Sequence, residues 1–172
     1  MKMGLITKFM LALCFIGLTL ASVSLARVAR PGNNDRQAFL DGHNKARAEV
    51  GHGVRPLIWN VSLAAYAQAY AKKRIPDCKM VESDPDGPLG ECLAEGYDEL
   101  SAADAVKAWV AEKPYYDHAS NKCVGGECGH YTQIVWRDTK YLGCARAKCR
   151  NGWMFVTCNY FPSGNYYGES PY

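Results

Sequence analysis

Cysteine is the residue type whose spacing in this chain could support the most chemistry. The sequence has eight, four of them arranged as Cys123-x4-Cys128 and Cys144-x4-Cys149. Four thiolates in such pairs could hold a tetrahedral zinc ion, or they could close disulfides. The redox compartment decides between the two, and the N-terminus indicates it. Lys2 and Lys8 form a positive region, Phe9 to Leu20 an apolar run, and Ser24 and Ala26 the small residues of a cleavage site; a cut after Ala21 is the alternative. The apolar run has 12 residues, short of the roughly 20 that span a bilayer as a helix. Residues 1–26 therefore read as a secretory signal, and no later stretch is apolar and long enough to cross a membrane. In an oxidising compartment disulfides are the better reading. Cys14 leaves with the signal, so the remaining cysteines are odd in number and one thiol stays unpaired. On a secreted chain Asn60-Val61-Ser62 is also a glycosylation acceptor.

Other chemistry is thinly represented. No Ser or Cys is marked by a neighbouring histidine as an activated nucleophile. His52 and His118 sit in loop-like sequence and read as solvated. The 172 residues are 48% hydrophobic and 22% charged, a globular composition that suits one domain. Net charge is +3 and falls to +1 once Lys2 and Lys8 are removed, too weakly basic for a nucleic-acid partner.

The elements that must position these residues follow from periodicity. Asn34 and Gln37 have the spacing of a capping pair, and Phe39, His43, Ala46 and Val50 then share one helical face. His43 on that inward face reads as structural. Ser62 can cap a second helix carrying Leu63, Tyr66, Ala67 and Tyr70, stopped by Pro76. Ser101-x-x-Asp104 opens a third, with Ala102, Val106, Trp109 and Val110 inward and Pro114 closing it. From about His130 the pattern is strand-like, over His130 to Arg137, Tyr141 to Cys149 and Trp153 to Phe161, with Asn151-Gly152 as a hairpin signal. Helices early and an antiparallel hairpin late predict an α+β layered domain.

The late segments also carry the most specific text. Gly129-His130-Tyr131-Thr132-Gln133-Ile134-Val135-Trp136 and Phe155-Val156-Thr157-Cys158-Asn159-Tyr160-x-Pro162-x-Gly164-Asn165 resemble the two signature motifs of the CAP superfamily. His43-Asn44-x-x-Arg47 resembles its helix-one motif. Tyr115-Tyr116-Asp117 and the ending Gly168 to Tyr172 narrow the likeness to plant pathogenesis-related class 1 proteins. The resemblance runs from about Gln37 to Tyr172. It implies a single three-layer α-β-α sandwich over residues 27–172, with an antiparallel sheet, found outside the cell or alternatively in the vacuole.

It further implies disulfides Cys78–Cys149, Cys123–Cys128 and Cys144–Cys158, with Cys92 as the free thiol. For Cys144 to face Cys158, Cys149 must pair with Trp153. That predicts a three-residue loop, Arg150-Asn151-Gly152, with Gly152 in the left-handed conformation. The family cleft gathers two histidines and two glutamates that can hold a divalent metal. The corresponding residues here are His130, Glu91 and Glu112, but Glu82 stands where the family has its second histidine, and Cys92 where it has asparagine. One imidazole with three carboxylates favours magnesium, manganese or calcium over zinc.

Three functions are therefore expected, in order. The first is non-enzymatic defence against fungi and oomycetes by binding a sterol or other lipid at Tyr115 and Tyr116, by a monomer that requires no cofactor. The second is a precursor from which a protease cuts before Pro162 to release an immune-signalling peptide, Pro162 to Tyr172. The third is a metal-dependent hydrolase with a degenerate His/Glu site, involving a divalent metal.

Overall fold

The computed structural model describes residues 33–51 and 53–172. The signal peptide and His52 lie outside the described residues. Helix α1 runs Asn33–Val50, strand β1 Ile58–Trp59, helix α2 Val61–Arg74 and strand β2 Gly90–Tyr97. Helix α3 spans Ala102–Val110, a short 3₁₀ turn Lys113–Tyr115, and strands β3 and β4 Tyr116–Asp117 and Lys122–Cys123. Helix α4 covers Gly129–Ile134, and strands β5 and β6 Tyr141–Lys148 and Trp153–Phe161.

The main sheet has the order β1-β5-β6-β2, and β3 and β4 pair separately. It is antiparallel through β5, β6 and β2, but the short β1 joins β5 in parallel, so the sheet is mixed at that edge. Helix α2 covers one face, where Ala67 and Ala71 pack on Ala145, Ala147 and Phe155. Gly143 makes this close approach possible, since a Cβ there would sit 2.2 Å from the Ala64 amide nitrogen. Helices α1, α3 and α4 cover the other face through Phe39, Val106, Trp109, Tyr131, Ile134, Leu142, Val156 and Tyr160.

Local signals explain most of the elements. Ser101 caps α3: its Oγ accepts from the Asp104 amide at 3.1 Å and donates to the Asp104 carboxylate. Helix α2 is capped two positions earlier than expected. Asn60, not Ser62, lies in extended backbone, and its Oδ1 accepts from the Ser62 and Leu63 amides. Gln37 does not reach back to Asn34; its amide donates to Asp41 one turn on. The expected strand over His130 to Arg137 is instead α4. Its β-branched and aromatic residues have strand propensity, but Tyr131, Thr132, Gln133 and Ile134 are all buried, and burial on every side suppresses the alternation of a half-exposed strand. β1 and β2 carried no comparable signal.

The β5–β6 hairpin has the expected register. Cys144 faces Cys158, the Cys149 amide donates to the Trp153 carbonyl at 2.7 Å, and Gly152 has φ +88°, a left-handed backbone that costs glycine little. Disulfides join Cys78 to Cys149, Cys123 to Cys128 and Cys144 to Cys158, and Cys92 is free and buried. The Cys78–Cys149 bridge closes a separation of 71 residues, worth about 4 kcal/mol in the chain-entropy model. Cys78→Ala with Cys149→Ala should therefore lose about 4 kcal/mol in denaturant unfolding, and a loss under about 1 kcal/mol would show that the loop is held by other contacts.

Candidate functional site

The candidate cleft lies between α3, α4 and the edge of the sheet. Helix α3 ends at Val110, which places Glu112 beside the first turn of α4. One carboxylate oxygen of Glu112 meets His130 Nδ1 at 2.5 Å, and the other accepts from the backbone amides of His130 and Tyr131 at 2.9 and 3.2 Å. Cys128 supplies no side-chain cap for α4, so Glu112 caps that helix from a separate element, with negative charge where the helix dipole favours it. The His130 ring stacks on Trp109 with centroids 6.1 Å apart. Trp109 is in turn fixed by donating its indole N–H to the Leu93 carbonyl at 2.9 Å.

Glu91 on β2 is bound on both oxygens. One accepts from the Ser83 amide at 2.6 Å; the other accepts from Thr157 Oγ1 at 2.7 Å and Asn159 Nδ2 at 3.3 Å. Glu82, exposed on the preceding loop, joins Glu91 and His130 in lining a cavity of about 440 Å³, with Asn165 and Glu127 beside them. A neighbouring cavity of about 580 Å³ shares Glu82, Glu91 and Asn165 and is otherwise lined mainly by the 82–91 loop. The structure thus brings Glu82, Glu91 and His130 to one cleft, while Glu112 supports His130 from behind. Asn165 closes the second signature motif, which does not mark it as a cleft residue, and nothing in the sequence marked Glu127.

These residues do not fit a metal as they stand. Glu112 is turned to His130 Nδ1 and the first amides of α4, away from the cavity that Glu82, Glu91 and His130 line. Among the described residues no group of three His, Cys, Asp or Glu side chains is placed to hold a metal ion. Cys92, the free cysteine among the described residues, is not an activated nucleophile. Cys92 approaches His130 only through its Sγ, 4.0 Å from the backbone carbonyl. Burial pushes the Cys92 thiol far above its ordinary range, with only partial relief from a hydrogen bond to Tyr160, which keeps it protonated and inert.

His43 is fully buried. Its Nδ1 lies 2.7 Å from the Phe39 carbonyl, which can only accept, so Nδ1 carries the proton and Nε2 accepts from the Tyr160 hydroxyl at 2.8 Å. Burial lowers its pKa to about 4.

The two tyrosines of the expected lipid loop diverge. Tyr115 is 43% exposed, and its ring lies over Gly126, where an added Cβ would come within 2.9 Å. The Val124 amide donates to its carbonyl, which places exposed Val124 beside it. Tyr116 is half-buried. It packs against Tyr131, His118 and Tyr172 with centroids 6.0–6.3 Å apart, and its hydroxyl donates to Asn121. His118 is exposed and stacks on Tyr172 at 4.9 Å.

The C-terminal segment is fastened along its length. The Pro162 carbonyl accepts from Thr139 Oγ1, the Gly164 amide donates to Gln133, and Asn165 bonds Thr132 and the Gly129 carbonyl. The Arg137 amide donates to the Pro171 carbonyl at 2.7 Å, and Asn121 to the Glu169 carbonyl.

A disulfide-stapled α-β-α sandwich with a His/Glu cleft defines a class of domain, and comparison identifies it. The family model for the cysteine-rich secretory protein family, CAP, matches residues 40–160. The chain is 55% identical over 139 residues to the basic form of pathogenesis-related protein 1 of Nicotiana tabacum, covering 81% of this chain and 76% of that one. It is 56% identical over 141 residues to pathogenesis-related protein 1A of the same plant, covering 81% and 82%. The solved structure of Schistosoma mansoni venom allergen-like protein 4 superposes with TM-score 0.66 at 29% identity, over 79% of this chain and 92% of that one. The chain belongs to the CAP family and, within it, groups with the plant pathogenesis-related class 1 proteins.

Two outcomes follow. A histidine whose folded pKa lies below its unfolded value stabilises fully above the unfolded pKa, and that stability is lost as pH falls through 6.5 towards 4. Unfolding free energy should drop by about 3 kcal/mol over that window, and His43→Gln should flatten the drop; an unchanged slope would relieve His43 of this role. Glu82→His adds a second imidazole to the cleft that holds His130, so zinc should bind this variant more tightly than the parent in calorimetric titration. Equal affinity would show that position 82 is no ligand.

Proposed function

We propose that the chain is a secreted plant defence protein that acts without catalysis, by binding a sterol or other lipid of fungal or oomycete membranes. The kinship with proteins named pathogenesis-related carries the defence part of this reading. Three disulfides and the N-terminal signal pattern support export to the extracellular space, with residues 1–26 removed and Asn60 open to glycosylation. Among the described residues no helix is long and apolar enough to cross a membrane.

Exposed Tyr115 supports the lipid part. An aromatic ring with a polar tip suits an amphipathic sterol, and the Cys123–Cys128 bridge stiffens the arm that carries its neighbour Val124. Tyr116 serves better as the support of this arm than as a contact, because its ring and hydroxyl are already engaged. Ergosterol binding to the mature, disulfide-intact protein should be saturable and should weaken about ten-fold on Tyr115→Ala, for a lost aromatic contact of about 1–1.5 kcal/mol. Binding unaffected by that change would place the lipid elsewhere, and none at all would reject the reading.

The second reading, a peptide precursor cut before Pro162, rests on the sequence pattern of residues 162–172 but meets a barrier. Phe161 closes β6 and its carbonyl accepts from the Lys140 amide, so the bond to be cut sits in paired backbone. The tail must open before a protease can reach it. Intact mass of the extracellular protein after immune challenge should show loss of residues 162–172 if this path operates, and persistent full length would exclude it.

A further inference from the structure

A separate cavity of about 240 Å³ lies at the β1–β5 edge, lined by Arg55, Arg137, Lys140, Asp138, Ile58 and Tyr141 among others. Among the described residues, none of the three cations forms an ion pair or side-chain hydrogen bond, and Asp138, the one acid on the lining, bridges to none of them. Directly behind the lining is a fourth cation. Arg47 is fully buried and has no carboxylate partner; its guanidinium donates to the carbonyls of Arg55 at 2.6 Å, Thr139 at 3.1 Å and Arg137 at 3.5 Å. These carbonyls, which would repel an anion, are therefore turned towards Arg47. A buried charge under a shallow, low-dielectric wall adds to the field of the exposed cations.

We propose that this cavity is a binding site for a tetrahedral oxyanion, a phosphate or sulfate group. Arg55, Arg137 and Lys140 would hold it by charge-assisted hydrogen bonds. The rim suits an anion carried on an apolar body. Ile58 pairs with Tyr141, and Tyr141 with Phe161, across three strands. They form a row on one sheet face, 62%, 36% and 44% exposed respectively. A lipid headgroup and a free phosphate both present this chemistry, and the test separates them.

Inorganic phosphate is titrated into the mature, disulfide-intact protein while the amide resonances of Arg137 to Tyr141 are followed, and vesicles of phosphatidylcholine with and without phosphatidic acid are tested by co-sedimentation. The expected result is saturable binding that weakens about ten-fold or more in Arg55→Gln with Lys140→Gln, for the loss of two charge-assisted bonds. It should be unchanged in Lys72→Gln with Lys73→Gln, which removes the same charge from α2. Both pairs are exposed, so a matching melting temperature verifies the fold. Phosphate binding without vesicle binding assigns a free phosphate; binding to vesicles that needs phosphatidic acid and is lost in the first pair assigns the headgroup, whether or not inorganic phosphate competes. No saturable binding of either probe, or equal loss in both pairs, overturns the site.

Discussion

The buried guanidinium of Arg47 is the contact on which the other elements converge. It extends from α1 and donates to carbonyls of the segment before β1, of the end of α4 and of the loop before β5. Burial lowers its pKa only to about 10, so it stays charged at neutral pH, and carbonyl dipoles rather than a carboxylate compensate it. Removing a buried charge's partners, or the charge itself, leaves several polar groups unsatisfied at once. Asn44, one turn earlier, holds Leu57 through both its amide and its carbonyl. The His-Asn-x-x-Arg motif is thus an assembly device that docks α1 to the sheet edge and to α4 together.

The cleft beside α4 follows from the same economy of polar groups. Glu112 caps a helix that has no cap of its own and orients His130, while Glu91 ties the 82–91 loop to β6. Glu112 in this position supports His130 instead of lining the cavity beside it. Glu82 in place of an imidazole moves the donor set further from zinc. Cys92, at the asparagine position, is sealed between β6 and α4, so the one unpaired thiol among the described residues is chemically silent.

The C-terminal segment shows how a surface tail becomes part of a domain. It returns across α4 and the loop before β5, and Pro171 is buried at its end. Its hydrogen bonds go to Gln133, Thr132 and Gly129 of α4, to Arg137 and Thr139 of that loop and to Asn121, so its stability is coupled to that of the cleft wall. A lipid role for the β3–β4 arm and a release role for the tail would therefore draw on one aromatic cluster, since Tyr116, His118 and Tyr172 belong to both.

The sequence by itself determined the elements with strong local chemistry. The Ser101 cap, the Asn151-Gly152 turn and the aromatic and β-branched residues of β6 each favour the local backbone they adopt, and the motif text carried the family and the hairpin register. Tertiary structure decided what local preference could not. The segment from His130 to Ile134 is strand-like in propensity and helical in the fold, because Tyr131 to Ile134 are buried and Glu112, 18 residues earlier in the chain, caps the helix at His130. Asn60 rather than Ser62 caps α2 because the chain arrives from β1 in extended backbone, placing its side chain over the first free amides. Nothing in sequence spacing joins Arg47 to Arg55, Arg137 and Lys140; a cation cluster drawn from one helix and two loops exists only once the sheet edge has formed. Local periodicity reports neighbours along a helix or strand, whereas a site depends on which polar groups burial leaves to find one another.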